Sequence, residues 1–340
     1  MERAISLDGL AAGRQAPAMV WPFVAISLGV AVLAAALAGW MPIGLSIATV
    51  FLFAGPHNWI EFRYFLSRMP VKWGRSRHFF QLAIVGAVGL TALYAALSFL
   101  ARAQSWEARQ WALSAAIWNS LLIFWLAALV FLRGRQSAAQ RDWSWAIPAG
   151  LALVAVNWLA PLLFSLSLVY LHPLMALWFL DRQLRSRPAW LRAYRACLLL
   201  LPLLVGVLWW RLAGAPHLAG DDALTLRITQ HAGAGILAGV STHLLVATHV
   251  FLETLHYGIW LVAIPLAGLR TAPWRLQTVP LFRHPQGWPR AVCAALIAGA
   301  CGVILLWASF LADYTATRDV YFTVAMFHVL AEAPFLLRTL

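Results

Sequence analysis

Acidic side chains are scarce in this sequence. Only 12 aspartates and glutamates stand among 340 residues, charged residues of both signs make up 11%, and 62% of the chain is hydrophobic. A water-soluble domain carries about 25% charged residues, so a soluble globular protein is excluded. Cysteine is rarer still. Cys197, Cys293 and Cys301 fall in apolar stretches with no CxxC spacing, which argues against both a disulfide framework and a cysteine metal site. GxSxG, HExxH and Walker A patterns are missing, as is a GxGxxG following a strand, which argues against a serine or cysteine hydrolase. The alternating segments of about 10 residues that build an outer-membrane barrel are absent. Pro-Gly-rich linkers, low-complexity tracts and a clear internal repeat are also absent, so residues 1–340 read as a single membrane domain.

What is present is a series of apolar runs about 20 residues long, the length that crosses a bilayer as a helix. They lie at roughly 18–40, 43–63, 79–101, 111–132, 143–160, 162–181, 195–213, 233–268, 291–312 and 319–338. The expected fold is all-α: a polytopic integral membrane helical bundle of about ten transmembrane helices, placed in the cell membrane. The first run is longer than a signal-peptide core and is expected to stay as an anchor. The eighth is too long for one straight crossing, so a tilt or break is expected at Gly233–Gly239 or past Pro265. Trp106, Trp111, Trp143, Trp145, Trp190, Trp209, Trp210 and Trp288 fall near span ends, as an aromatic belt requires.

The net charge of +13 is mostly arginine, and it is clustered between the runs. Arginines crowd the loops after the second, fourth, sixth and eighth spans, for example Arg68, Arg75, Arg133, Arg182, Arg185, Arg275 and Arg283. The opposite loops are poor in base or acidic, with Asp221, Asp222, Asp313 and Asp319. The positive-inside rule then places both termini in the cytoplasm and the basic loops against anionic lipid headgroups. Nucleic acid is not an expected partner.

Ionisable residues inside the spans are costly and mark function by default. The stretch Thr242–Tyr257 holds His249, Glu253 and His256, which share one face at about 100° per residue. His243 lies off that face. His57, His172 and His328 sit on other even-numbered spans at similar depth, in the expected cytoplasmic half. Three of the chain's five glutamates follow a histidine by four residues, giving the pairs His57/Glu61, His249/Glu253 and His328/Glu332. An i,i+4 pair shares a helix face, so each pair offers one nitrogen and one oxygen ligand together. Glu253-x-x-His256 also has the spacing of four-helix di-iron carboxylate proteins. The expected metal ligands are therefore His57, Glu61, His172, His249, Glu253, His256, His328 and Glu332. Glu253, Glu332 and Tyr321 are the expected catalytic groups, Tyr321 standing seven residues before His328 on its face.

Each member has a plainer reading. Glu61 is close enough to Arg63 to form an ordinary ion pair, and His172 could bond a carbonyl freed by Pro173. His78, His217 and His284 read as surface residues, and Asn119 and Asn157 as cross-links between helices.

The segment Gly55-Pro56-His57-Asn58-Trp59-Ile60-Glu61 resembles the PH-x-x-x-D segment of the Brp/Blh membrane family, which cleaves β-carotene to retinal with histidine-bound iron. The match covers one span end. The paired His-x-x-x-His helix of that family is missing, since the position four after His172 is Ala176. The resemblance implies a histidine-rich membrane oxygenase without assigning a substrate.

These observations lead to an integral-membrane metalloenzyme holding one or two non-haem iron ions. It would oxidise a lipid or isoprenoid that enters sideways from the membrane, with an electron donor as a further partner. Zinc with the same ligands would give a lipid hydrolase. A haem-binding electron-transfer protein and a proton or metal-ion transporter are the readings from other classes.

Overall fold

The computed structural model describes residues 20–136, 142–267 and 275–339, and among these there is no strand. In chain order the helices are α1 (Val20–Trp40), α2 (Pro42–Arg68), α3 (Arg77–Ala103), α4 (Ala108–Gln136), α5 (Ala146–Leu159), α6 (Pro161–Leu184), α7 (Pro188–Leu198), α8 (Leu200–Leu212), α9 (Ala223–His231) and α10 (Thr242–Gly258). There follow α11 (Ile264–Ala267), α12 (Pro280–Arg283), α13 (Pro289–Ala312) and α14 (Tyr314–Leu337). Nine helical stretches among the described residues are long and apolar enough to cross a membrane, α7–α8 and α10–α11 each counting as one. The protein is an all-α, multi-pass membrane protein. The fifth expected span is a shorter helix of 14 residues, because Trp143–Trp145 precedes α5 as a turn rather than extending it.

The chain forms two compact units, whose boundaries fall inside α2 and α6. The first unit takes Met1–Thr49 with Pro173–Ala272. Its core is α10 against α1, where Ala31, Ala34, Ala35 and Ala38 offer a flat face to Leu244, Ala247, Val250, Phe251 and Leu255. Small side chains let two membrane helices approach closely, which gives the packing that drives association in lipid. The eighth expected span breaks where its glycines lie: α9 ends at His231, Gly233 adopts φ +101°, and α10 starts only at Thr242. At the other end, Ile259–Ala263 widens into one π-helical turn just before Pro265, whose ring nitrogen has no hydrogen to give the helix. Ahead of the break, the Asp222 carboxylate accepts the Leu224 and Thr225 N–H groups and caps α9. A hydrogen bond with the Thr225 side chain, supported by those backbone bonds, holds its pKa below the usual carboxylate value.

The second unit takes Val50–His172 with Pro273–Leu340. Its core joins α3, α4 and α14 through Phe79, Phe80, Ala83, Ala87, Trp118, Trp125, Leu129 and Leu330. Asn119 and Asn157 are fully buried and tie α4 to α5 and α6: the Asn119 amide donates to Asn157 Oδ1 at 2.8 Å, and Asn157 donates to the Ala116 carbonyl at 2.9 Å. These amides cross-link helices as expected. The C-termini of α2, α4 and α14 meet at one end of the unit. There Arg338 donates to the Arg68 carbonyl at 2.6 Å, and Arg133 donates to the Leu337 carbonyl at 3.2 Å.

Candidate metal centre

In the second unit, α2 and α14 each present a His-x-x-x-Glu pair, and α6 adds His172 from its last residue in the unit. The His57 and His328 rings lie 5.3 Å apart at 80°, and the His172 and His328 rings 5.4 Å apart at 71°. Two imidazoles bound to one ion at about 2.0–2.1 Å have ring centres roughly 4.5–5.5 Å apart, so both spacings suit shared coordination. One ligand atom each from His57, Glu61 and His328 lie within 4.8 Å of one another.

The local bonding orients these groups. His57 Nδ1 lies 3.0 Å from the Phe53 carbonyl, which can only accept, so Nδ1 carries the proton and Nε2 keeps its lone pair. A metal-binding histidine commonly has its second nitrogen fixed in this way. His172 Nδ1 sits 3.2 Å from Glu332 Oε2, a carboxylate–histidine contact. Glu332 and Glu61 are both 0% exposed. Neither Glu61 oxygen has a hydrogen-bond partner among the described residues. The plainer reading of Glu61 as an ion pair with Arg63 fails, because Arg63 donates instead to the Arg275 carbonyl at 3.1 Å and to Thr278 Oγ1 at 2.5 Å. An unpaired carboxylate in hydrocarbon costs several kcal/mol or titrates, and a bound cation removes that cost.

Next to this cluster is a cavity of about 700 Å³, formed by α2, α13 and α14. Glu61 and His328 line it, together with apolar groups such as Phe62, Val303, Leu306 and Val324. Several wall residues, including Phe62, Val320 and Val324, are also exposed at the surface of the unit. Tyr321 lies in the wall, where its hydroxyl accepts the Asn58 amide at 3.3 Å. Asn58 was not singled out by the sequence, although a lone amide inside an apolar span and next to a candidate ligand was the available signal.

The remaining candidates lie on α10 of the first unit, where all three are buried. His249 Nδ1 is 4.0 Å from Glu253 Oε2, while Glu253 Oε1 accepts the Tyr257 hydroxyl at 2.7 Å. The His231 ring, at the end of α9, stacks edge-on against His249 at 4.9 Å, a neighbour the sequence did not identify. His256 is 2% exposed, next to Tyr257 in the chain. His243, off the ligand face, has its Nε2 3.2 Å from the Gly39 carbonyl. His78, His217 and His284 are exposed, also as expected.

Comparison of the chain with protein-family models, with curated proteins and with solved structures finds no match.

Proposed function

We propose that this protein is an integral-membrane metalloenzyme whose second unit holds a divalent cation on His57 Nε2, Glu61 and His328, with His172 and Glu332 beside it. The observation that carries this reading is the Glu61 carboxylate, buried and unpartnered within reach of two imidazoles. Two imidazoles and one carboxylate are the ligand set of non-haem Fe(II) oxygenases, which keep open positions for O₂ and substrate. The resemblance of Gly55–Glu61 to the carotene-cleaving family is in keeping with iron. Charge also bears on nuclearity. Glu61 and Glu332 together balance one divalent ion, whereas two ions in this unit would leave a net double positive charge in hydrocarbon. The substrate is a lipid or isoprenoid, reaching the metal through the apolar cavity, and electrons come from that substrate or from a separate donor.

The same three ligands also suit zinc, whose bound water at lowered pKa would hydrolyse a lipid ester. A haem reading is disfavoured by Glu61: axial imidazoles approach iron from opposite faces of a macrocycle, which leaves no place for a carboxylate within 4.8 Å of both.

Metal analysis with an optical spectrum of the detergent-purified protein decides among these. About one iron per chain without a Soret band is expected. Stoichiometric zinc would replace oxidation by hydrolysis, and a Soret band or the absence of any tightly held metal would overturn the proposal. Glu61→Gln and His328→Ala should each cut metal occupancy at least about tenfold, while His284→Ala, at an exposed position, should leave it unchanged.

A further inference from the structure

The cavity beside the candidate metal centre is a groove that follows its helices. Along α14 its wall recurs on one face, from Ala316 and Thr317 through Val320 and Val324 to His328 and Ala331. Ala316 and Ala331 stand about 22 Å apart at the helical rise. On α13 the wall runs back from Ser309 to Gly299. A Cβ at Gly299 would meet the Trp59 ring of α2 at 3.0 Å, so α2 and α13 meet closely there.

The two ends of the groove differ. At one, Ser309 and Ala316 are exposed and flank the hairpin at Asp313, where α13 gives way to α14. Ser309 and Thr317 bring hydroxyls to that end. At the other stand Glu61 and His328. One turn beyond them, Phe65 of α2 stacks flat on Phe335 of α14, with ring centres 4.3 Å apart at 2°. Phe65 belongs to the wall and is buried. The pair stands between the candidate ligands and the end of the unit where Arg338 meets the Arg68 carbonyl.

A groove closed at one end gives an amphiphile a direction. A polar head buried in hydrocarbon without partners is costly, so it stays at the open end and the chain runs inward. Thr317 and His328 are about 16 Å apart along α14, close to half of the roughly 30 Å hydrocarbon core. A chain of ordinary acyl length therefore reaches from the hydroxyls to the ligands.

We propose that the groove holds a single-chain lipid, its polar end at Ser309 and Thr317 and its chain terminus against the Phe65–Phe335 pair. This rests on the reading of the cavity as the substrate site of the proposed metalloenzyme. Glu61 and His328 then face the distal part of the chain, not the part beside the head. The lipid comes from the leaflet on the Asp313 side.

Photolabelling of the full-length protein in nanodiscs tests this without turnover, with two palmitic acid probes. One carries a diazirine on its terminal carbon, the other beside its carboxyl group. The terminal probe should label within about one helical turn of Phe65 and His328, and the carboxyl-side probe near Ser309 and Thr317. Both labels should saturate and be lost with excess palmitic acid. Label at Val85, an exposed position on α3, should do neither. In Phe65→Ala the terminal label should advance past Ala331 towards Phe335. The reverse placement of the two probes, or groove label that neither saturates nor competes, overturns the proposal. So does terminal label that stays in place in Phe65→Ala. The wild-type pattern decides the direction even if that variant does not fold. Metal content of the same samples keeps the two readings apart. Saturable, oriented labelling in a protein without metal would sink the metalloenzyme and leave the lipid groove standing.

Discussion

At the scale of single residues, the second unit is organised around two fully buried carboxylates, Glu61 and Glu332. Glu61 has no hydrogen-bond partner, and Glu332 is close enough to repel it. Their roles differ. Glu61 lies with the imidazole nitrogens of His57 and His328, whereas Glu332 contacts His172 Nδ1. A carboxylate behind a histidine orients the ring and raises its basicity, and losing it commonly weakens metal binding by about 10- to 100-fold. Glu332→Gln should therefore weaken metal affinity by that factor while preserving the stoichiometry reached at saturating metal. Glu61→Gln should lower the stoichiometry itself. Competition titrations with a chromogenic chelator separate the two outcomes, and equal behaviour of both variants would reject this division of roles. Metal removal gives a second reading of the same arrangement. Without the cation the buried Glu61 carboxylate has no hydrogen-bond partner among the described residues, so chelation should lower the thermal midpoint by several degrees, restored on adding the metal back. The His-x-x-x-Glu pairs were legible in the sequence because four-residue spacing alone puts both groups on one face. The unpaired state of Glu61 was not, because it depends on Arg63 turning to Thr278, more than 200 positions away.

At the scale of helices, sequence punctuation predicted where elements stop. The break ahead of α10 falls on its glycines, one of the two places expected; the other, past Pro265, lies outside the described residues beyond Ala267, and the π-helical turn before that proline was not foreseen. The division between α5 and α6 falls at Ala160, directly before Pro161. Composition was less informative at Trp143–Trp145: three residues that could prolong an apolar run form a turn instead. Contacts between helices were the least legible. Gly86 of α3 looks like any glycine in a membrane span, yet a Cβ there would lie 1.9 Å from Trp125 Nε1 of α4. That indole N–H donates to the Leu82 carbonyl at 2.9 Å, so the ring cannot withdraw without giving up the bond. Gly86→Ala should then cost about 2–4 kcal/mol, an overpacking strain with the loss of one hydrogen bond added. Pairing it with Trp125→Leu should recover part of that loss, since the ring that clashes is gone. Thermal unfolding of the single and double variants in detergent gives the coupling, and strictly additive losses would show that the two residues do not constrain each other.

At the scale of the molecule, the arginine pattern fixes an expected orientation, and the second unit gives it a structural counterpart. At one end of that unit the C-termini of α2, α4 and α14 bring together Arg68, Arg133 and Arg338; the Arg338 guanidinium donates to the Arg68 carbonyl and the Arg133 guanidinium to the Leu337 carbonyl. Cations are favourable there, since helix C-termini carry partial negative charge. Arg338 is half-buried among the others, and burial holds its pKa below the usual arginine value, with the neighbouring Arg133 and Arg68 charges adding to the effect. Acidic groups collect at the opposite end, where the Asp313 carboxylate caps α14 and Asp319 pairs with Arg102 at 3.4 Å. Helices that run in the same direction thus end together in the arginine-rich layer, as alternating spans require. The positive-inside rule assigns that layer to the cytoplasm, where anionic headgroups add about 1 kcal/mol for each nearby basic residue. A membrane-impermeant maleimide applied to intact cells tests the assignment, with the three native cysteines replaced by serine. A cysteine placed at Asp221, in an exposed acidic loop, should be labelled from outside. One placed at Arg75, exposed in a basic loop, should react only after the membrane is opened. The reverse pattern would invert the orientation. It would also move His57 and His328, which stand six and ten residues before Arg63 and Arg338, to the outer half of the bilayer.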